Sequence, residues 1–338
     1  MPIPPLAAPS DTGRLGACQL KRLWSRTQRQ CLGLQEAADP LDGLVLHALG
    51  IGLEQGLGQL FQQRPDFAAF EDWIVATAGR PAAAQLERLN AAVLEQPMPA
   101  VTARELARID ALPAVLSPAD LAHWQTQGYV VLRDAVPRAD REAAVEAVLQ
   151  ASTARLDQPS SWYQARPQGV MVPLIQHPAL DANRRSPRIH KAFSQLWGSS
   201  DLWVSADRVG FHPPEQPGQR TQRPGLHWDV SLATPIPFGT QALLYLTDTP
   251  AEQGALQLVA GFQQRIEAWL ADLPPGSDPR QCDLQALGAQ PIAGAAGDLI
   301  IWHQALPHGP GPNQGSRPRL VQYLNLAPAR PPQQPLWR

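Results

Sequence analysis

A chain of 338 residues, 44% hydrophobic and 17% charged, can bury a sizeable core and is not disordered as a whole. A formal net charge of −2 gives no electrostatic case for nucleic acid or an anionic membrane surface. Cys18, Cys31 and Cys282 are odd in number and widely spaced. That argues against a disulfide scaffold or a zinc cluster and favours a reducing, cytoplasmic compartment. The opening residues have no basic region followed by an apolar stretch, and no apolar run reaches membrane-spanning length, so neither a signal peptide nor a span is expected.

Residues 1–16 are Pro-rich and read as mobile. Residues 17–112 read as helices. Leu41, Leu44, Val45, Ala48, Leu49 and Gly52 keep helical spacing, continuing to Leu57, Leu60 and Phe61. Pro65 can open the next helix, with Phe67, Phe70 and Ile74 on one face, and Gly79-Arg80-Pro81 stops it. Leu86, Leu89 and Val93 mark another, and Thr102-Ala-Arg-Glu105 reads as a capping box. Ser117 can cap a helix with Pro118 in its first turn. Gly128-Tyr-Val-Val-Leu-Arg133 then reads as a strand, and 139–149 as a helix. Beyond residue 200 the texture becomes short β-rich runs broken by Pro and Gly: 202–211, 241–247, 255–259, 298–303 and 319–326. No long amphipathic helices alternate with these runs, which excludes a parallel βαβ sheet and predicts a double-sheet jelly roll. Segments 216–223 and 273–280 read as loops, of the kind that form lids at a barrel mouth.

The residues that carry chemistry are His227-Trp228-Asp229, then His308, then Arg319. A His and a carboxylate two apart on a strand point to one face. A distant second His can complete three ligands on one metal ion. Two imidazoles and a carboxylate with open positions opposite suit non-haem Fe(II). A following Arg could hold the far carboxylate of a keto acid with its planar fork. His303 competes with His308, and Arg317 with Arg319.

Residues from about 117 to 327 resemble the phytanoyl-CoA dioxygenase family of Fe(II)/2-oxoglutarate oxygenases. The matching segments begin with Gly128-Tyr-Val-Val-Leu-Arg-Asp-Ala-Val-Pro137 and Leu226-His-Trp-Asp229, followed by Tyr245-Leu-Thr-Asp-Thr and Gly254-Ala-Leu. They continue with Gly297-Asp-Leu-Ile-Ile-Trp302, His308-Gly-Pro-Gly-Pro-Asn313 and Arg317-Pro-Arg319. The resemblance implies an α+β protein whose core is a double-stranded β-helix (jelly roll, cupin-like). It implies His227, Asp229 and His308 as iron ligands, Arg319 as the partner of the 2-oxoglutarate carboxylate, and Fe(II), 2-oxoglutarate and O₂ as cofactors. The offset of Arg319 from His308 and the position of His308 at the Gly-rich turn match the family. Arg208 would meet an anionic substrate or the cosubstrate, unless it forms a surface ion pair. Tyr245 would hydrogen-bond the cosubstrate, unless it is a core tyrosine. Asp229 stands where halogenating relatives have a small residue, which argues for oxygen transfer.

The expected organisation is a helical extension, 1–116, and an oxygenase domain, 117–338. The expected reaction is hydroxylation of an unactivated C–H bond in a small molecule or a carrier-bound acyl or aminoacyl group. Its rivals are desaturation or cyclisation in natural-product biosynthesis and a non-catalytic jelly-roll binding protein. The helical stripe of Phe67, Phe70, Trp73 and Ile74 must be covered, by the core or by a second copy of the chain in a homodimer.

Overall fold

The computed structural model describes residues 4–37, 39–164, 169–216, 223–334 and 336–338. In chain order the N-terminal elements are α1 (Leu20–Cys31), α2 (Leu41–Ala48), α3 (Leu53–Gly58), α4 (Phe67–Ala78), α5 (Ala83–Val93) and α6 (Ala100–Asp110). There follow α7 (Pro118–Gln127), β1 (Tyr129–Leu132), α8 (Arg138–Ala151), β2 (Met171–Val172), α9 (Pro178–Arg184), α10 (Pro187–Trp197), β3 (Trp203–Val204) and β4 (Val209–His212). The C-terminal part contributes β5 (Thr240–Tyr245), β6 (Leu256–Leu258), α11 (Ile266–Asp272), β7 (Gln290–Ile292), β8 (Leu299–His303), β9 (His308–Pro310), β10 (Arg319–Tyr323) and β11 (Leu326–Ala327). Among the described residues no helix is long and apolar enough to cross a membrane. The chain divides into two compact units.

The first unit comprises 1–113 together with 197–207 and 326–331, so two later segments fold with the helices. β3 pairs antiparallel with β11, and Trp203 is buried in the same cluster as Leu20, Leu46, Phe70 and Ile74. The long apolar period of residues 41–61 does not make one helix. Gly50, at φ +72°, breaks it between α2 and α3, a conformation glycine adopts without a Cβ penalty. Asp66 caps α4 by accepting from the Ala69 amide at 2.8 Å. The expected capping box at Thr102 is displaced: α6 starts at Ala100 behind Pro99, whose fixed φ suits a helix start, and Thr102 is buried inside the helix. Residues 4–16 are pinned rather than loose. The Ala7 amide donates to Ser25 Oγ at 3.0 Å, and the Arg14 and Leu15 amides donate to the buried Glu71 carboxylate at 3.1 and 2.8 Å.

The second unit comprises 114–196, 208–325 and 332–338. Ser117 and Asp120 form a capping box on α7, and Gly128 ends it at φ +75°. Helices α9 and α10, absent from the sequence reading, each begin at a proline, where the missing N–H costs nothing. The main sheet is six-stranded, in the order β1-β8-β5-β10-β4-β2, and its pairs are antiparallel. A three-stranded antiparallel sheet has the order β7-β6-β9. The run 202–211 is two strands in different sheets, not one. Residues directly opposite in an antiparallel pair share a face. The register therefore puts Gln241, Leu243 and Tyr245 of β5 on one face with Trp302 and Ile300 of β8 and with Arg319, Val321 and Tyr323 of β10. That face carries the apolar cluster of Leu243, Tyr245, Ile300, Trp302 and Val321, joined by Leu256 and Leu258 of the smaller sheet. Of the expected loops, 217–222 lie outside the described residues, and 273–280 run from the end of α11 into a 3₁₀ turn at Pro279–Gln281.

Candidate metal centre

His227 and His308 form a reciprocal backbone pair. The amide of each donates to the carbonyl of the other, at 2.9 and 3.0 Å. Such a pair sends both side chains to the same face, and the two imidazoles lie with ring centroids 4.8 Å apart. Asp229, two residues on from His227, reaches both rings. Its Oδ1 is 3.4 Å from His227 Nε2 and its Oδ2 is 3.2 Å from His308 Nε2. All three potential ligand atoms fall within 4.8 Å of one another.

Hydrogen bonding fixes the histidine tautomers. Nδ1 of His227 lies 2.8 Å from the Gly225 carbonyl, and Nδ1 of His308 lies 3.1 Å from the Leu306 carbonyl. A carbonyl only accepts, so each Nδ1 carries a hydrogen, and each Nε2, which faces Asp229, is the nitrogen that can give up its proton and bind a metal. Burial alone would raise the Asp229 carboxyl, but the hydrogen bonds and charges of the two imidazoles outweigh it and hold it well below the usual carboxylate range. The same contact with Asp229, against burial and with help from the Gly225 carbonyl, raises His227. Two imidazoles and a carboxylate converging within 4.8 Å fit a divalent cation.

Two residues that the sequence reading did not single out hold Asp229. Gln241 donates from Nε2 to Asp229 Oδ2 at 2.6 Å, while its Oε1 accepts from the Trp302 indole at 3.1 Å. Arg280 donates to the carbonyls on both sides of Asp229, Trp228 O and Val230 O, each at 2.7 Å. The signal for Gln241 was its place two residues before Leu243 on the face shared with Tyr245, a polar position in an apolar strand. No comparable signal marked Arg280, which comes from the 273–280 loop.

Arg319, the first residue of β10, is fully buried. Its Nη1 donates to the Gly254 carbonyl at 2.6 Å, and its Nε and Nη2 have no hydrogen-bond partner among the described residues. It lies on the sheet face that carries Gln241. A buried guanidinium with two unsatisfied donors fits a carboxylate ligand. Arg317 is exposed. His303 points to the other face of β8. There it packs against Phe238 with ring centroids 5.5 Å apart, accepts the Ala305 amide at 3.1 Å, and is lowered by burial to about 4.

Tyr245 is fully buried, and burial pushes its phenol up to about 12. Its hydroxyl donates to Ile292 O at 2.8 Å and accepts the Leu256 amide at 2.9 Å, so its one proton is committed within the protein. Arg208 is half-buried just before β4, where its carbonyl accepts the Tyr323 amide at 3.2 Å. Trp228 packs in the core against Trp269, and its indole donates to Ala305 O at 2.9 Å.

The family model described as phytanoyl-CoA dioxygenase (PhyH) matches residues 124–321. A protein of Dictyostelium discoideum that carries the phytanoyl-CoA dioxygenase name is 21% identical over 258 residues, 61% of this chain and 74% of that protein. Among solved structures, the non-haem α-ketoglutarate-dependent carbocyclase SnoK from nogalamycin biosynthesis is 19% identical with a TM-score of 0.47, over 67% of this chain and 88% of SnoK. AviO1 from Streptomyces viridochromogenes Tue57 is 19% identical with a TM-score of 0.46, over 66% of this chain and 100% of AviO1. HygX from Streptomyces hygroscopicus, solved with nickel and 2-oxoglutarate bound, is 16% identical with a TM-score of 0.45, over 64% of this chain and 88% of HygX.

Proposed function

Because the chain belongs to the phytanoyl-CoA dioxygenase family of Fe(II)/2-oxoglutarate-dependent oxygenases, we propose that it hydroxylates an unactivated C–H bond of a small molecule or a carrier-bound acyl or aminoacyl group. In this reading His227, Asp229 and His308 hold the iron and Arg319 pairs with the far carboxylate of 2-oxoglutarate. The six- and three-stranded sheets are read as the two walls of a jelly roll, with the family's ligand face between them.

Iron, when bound, supplies the coupling of 2-oxoglutarate decarboxylation to C–H oxidation. The chain's own residues do the rest. His227 and His308 offer lone pairs whose direction is set by the Gly225 and Leu306 carbonyls. Asp229 supplies one negative charge, which leaves a divalent ion with net positive charge for an anionic cosubstrate. Arg319 supplies the counter-charge at the far end, already desolvated. The side chains of His227 and Asp229 remain 37% and 52% exposed, so substrate can approach the metal position from that side.

The observation that carries the reading is Arg319, a buried cation with two donors and no ion-pair partner among the described residues. Succinate release from 2-oxoglutarate in the presence of Fe(II) and O₂ tests it. Wild type should release succinate, and Asp229→Ala and Arg319→Leu should not. Equal release by all three overturns the assignment. The helical unit is proposed to select the substrate or to pair two copies of the chain. Deleting residues 1–116 is a poor test of this, because it removes the cluster in which Trp203 is buried.

A further inference from the structure

The three ligands are not held alike. The histidines are fixed by a mutual backbone pair, whereas the Asp229 carboxylate is half exposed and its orientation rests on side chains. We propose that Gln241, oriented by Trp302, is a positioning residue that holds one oxygen of Asp229 and leaves a single oxygen for the metal. The inference rests on the iron-site reading above and deepens it.

The amide orientation follows from donor chemistry. An indole N–H can only donate, so the group of Gln241 that faces Trp302 Nε1 at 3.1 Å must be its oxygen. The NH₂ group is then turned to Asp229 Oδ2, at 2.6 Å. A carboxylate accepts and an amide NH₂ donates, so the contact is charge-assisted and cannot be reversed without stranding both partners. Trp302 is itself packed: it is buried, and its ring centroid lies 5.0 Å from that of His308. The register also places Gln241 directly opposite Trp302, so the relay is built into the β5–β8 pairing. Oδ2, which also lies 3.2 Å from His308 Nε2, is shared with the amide, and that biases Asp229 to ligate through Oδ1, 3.4 Å from His227 Nε2. The positions that a two-oxygen carboxylate would cover stay open for the cosubstrate.

The test uses Mn²⁺ as probe, titrated by calorimetry and by its EPR signal. A second readout is the visible band of the anaerobic Fe(II)/2-oxoglutarate protein. Gln241→Leu should weaken Mn²⁺ binding by about 10–100-fold, with an unchanged thermal melt in chelator. Gln241→Glu has the same shape but sets a carboxylate against a carboxylate, and should lose more. It also reads the proposal if the Leu variant fails to fold. Trp302→Phe keeps the packing, frees the amide to turn and should give a smaller loss. The Gln241→Leu/Trp302→Phe double variant should bind no worse than Gln241→Leu alone, because both act through one contact. Wild-type Mn²⁺ affinity in Gln241→Leu and Gln241→Glu, or fully additive losses, overturns the relay. Mn²⁺ binding unaffected by Asp229→Ala overturns the metal assignment itself, which is a separate failure.

Discussion

Two buried arginines show how differently the two units treat charge. Arg26, in α1 of the helical unit, faces carboxylates of its own chain: it pairs with Asp42 and lies 3.7 Å from Asp39. Arg319, on β10 of the sheet unit, is at least as buried and forms no ion pair among the described residues; its Nη1 donates to a backbone carbonyl. The first arrangement has its counter-charge without a ligand and serves the fold, although Arg26 Nη1 has no hydrogen-bond partner among the described residues. The second leaves the desolvation of a cation uncompensated, which a fold tolerates where an incoming anion completes it.

The comparison breaks most visibly if each cation is deleted. Arg26→Leu takes the cation from Asp42 and leaves Asp39 with Arg22, 3.3 Å away, and should destabilise the protein by about 3–5 kcal/mol, seen as a lower urea midpoint. Arg319→Leu strands no acid. Its urea midpoint without ligand should equal or exceed wild type, while 2-oxoglutarate affinity measured by calorimetry on Mn²⁺-loaded protein falls at least about 100-fold. If Arg319→Leu instead unfolds the protein and Arg26→Leu does not, the division between structural and ligand-seeking arginine is reversed.

His303 sharpens the same contrast, as a half-buried base packed near Phe238 and Trp124 that forms no ion pair among the described residues. Burial lowers it to about 4, so between its ordinary value near 6.5 and about 4 the unfolded chain binds the extra proton and the folded chain does not. Stability is therefore lost as pH falls through that window, by up to about 3 kcal/mol. His303→Phe should flatten this limb of the urea midpoint against pH, and an unchanged limb would locate the acid sensitivity elsewhere. The smallest effect is expected at Tyr245. Tyr245→Phe loses both hydroxyl contacts and should cost about 1–3 kcal/mol, with no change in 2-oxoglutarate affinity. A marked loss of that affinity would restore the cosubstrate role that the sequence suggested.

The sequence made the three candidate ligands legible because strand alternation and the Gly-rich turn at His308 are local properties. The sequence favoured His308 over His303 through the family resemblance; in the structure His308 pairs with His227, whereas His303 lies on the other face of β8. Gln241 was hidden because a glutamine within an apolar strand looks like any half-exposed residue until its cross-strand partner is known. Arg280 was hidden because a loop has no period to read. Helices α9 and α10 were missed for a chemical reason, since their first-turn prolines look like breaks in a sequence and act as starts in a structure. The helical run of 41–61 erred the other way, its apolar period continuing across Gly50 where the backbone does not.

The reciprocal backbone pair of His227 and His308 has a consequence for folding. It joins positions far apart in the chain, so the entropy of closing that long loop is met when the sheet unit folds and not when an ion arrives. The two amides cannot be exposed to solvent one at a time without breaking the same two-bond ring, so in native-state hydrogen exchange they should open together, with a single free energy. Adding a divalent ion should then slow both by the same factor, which makes the pair an internal gauge of how tightly the ion is held.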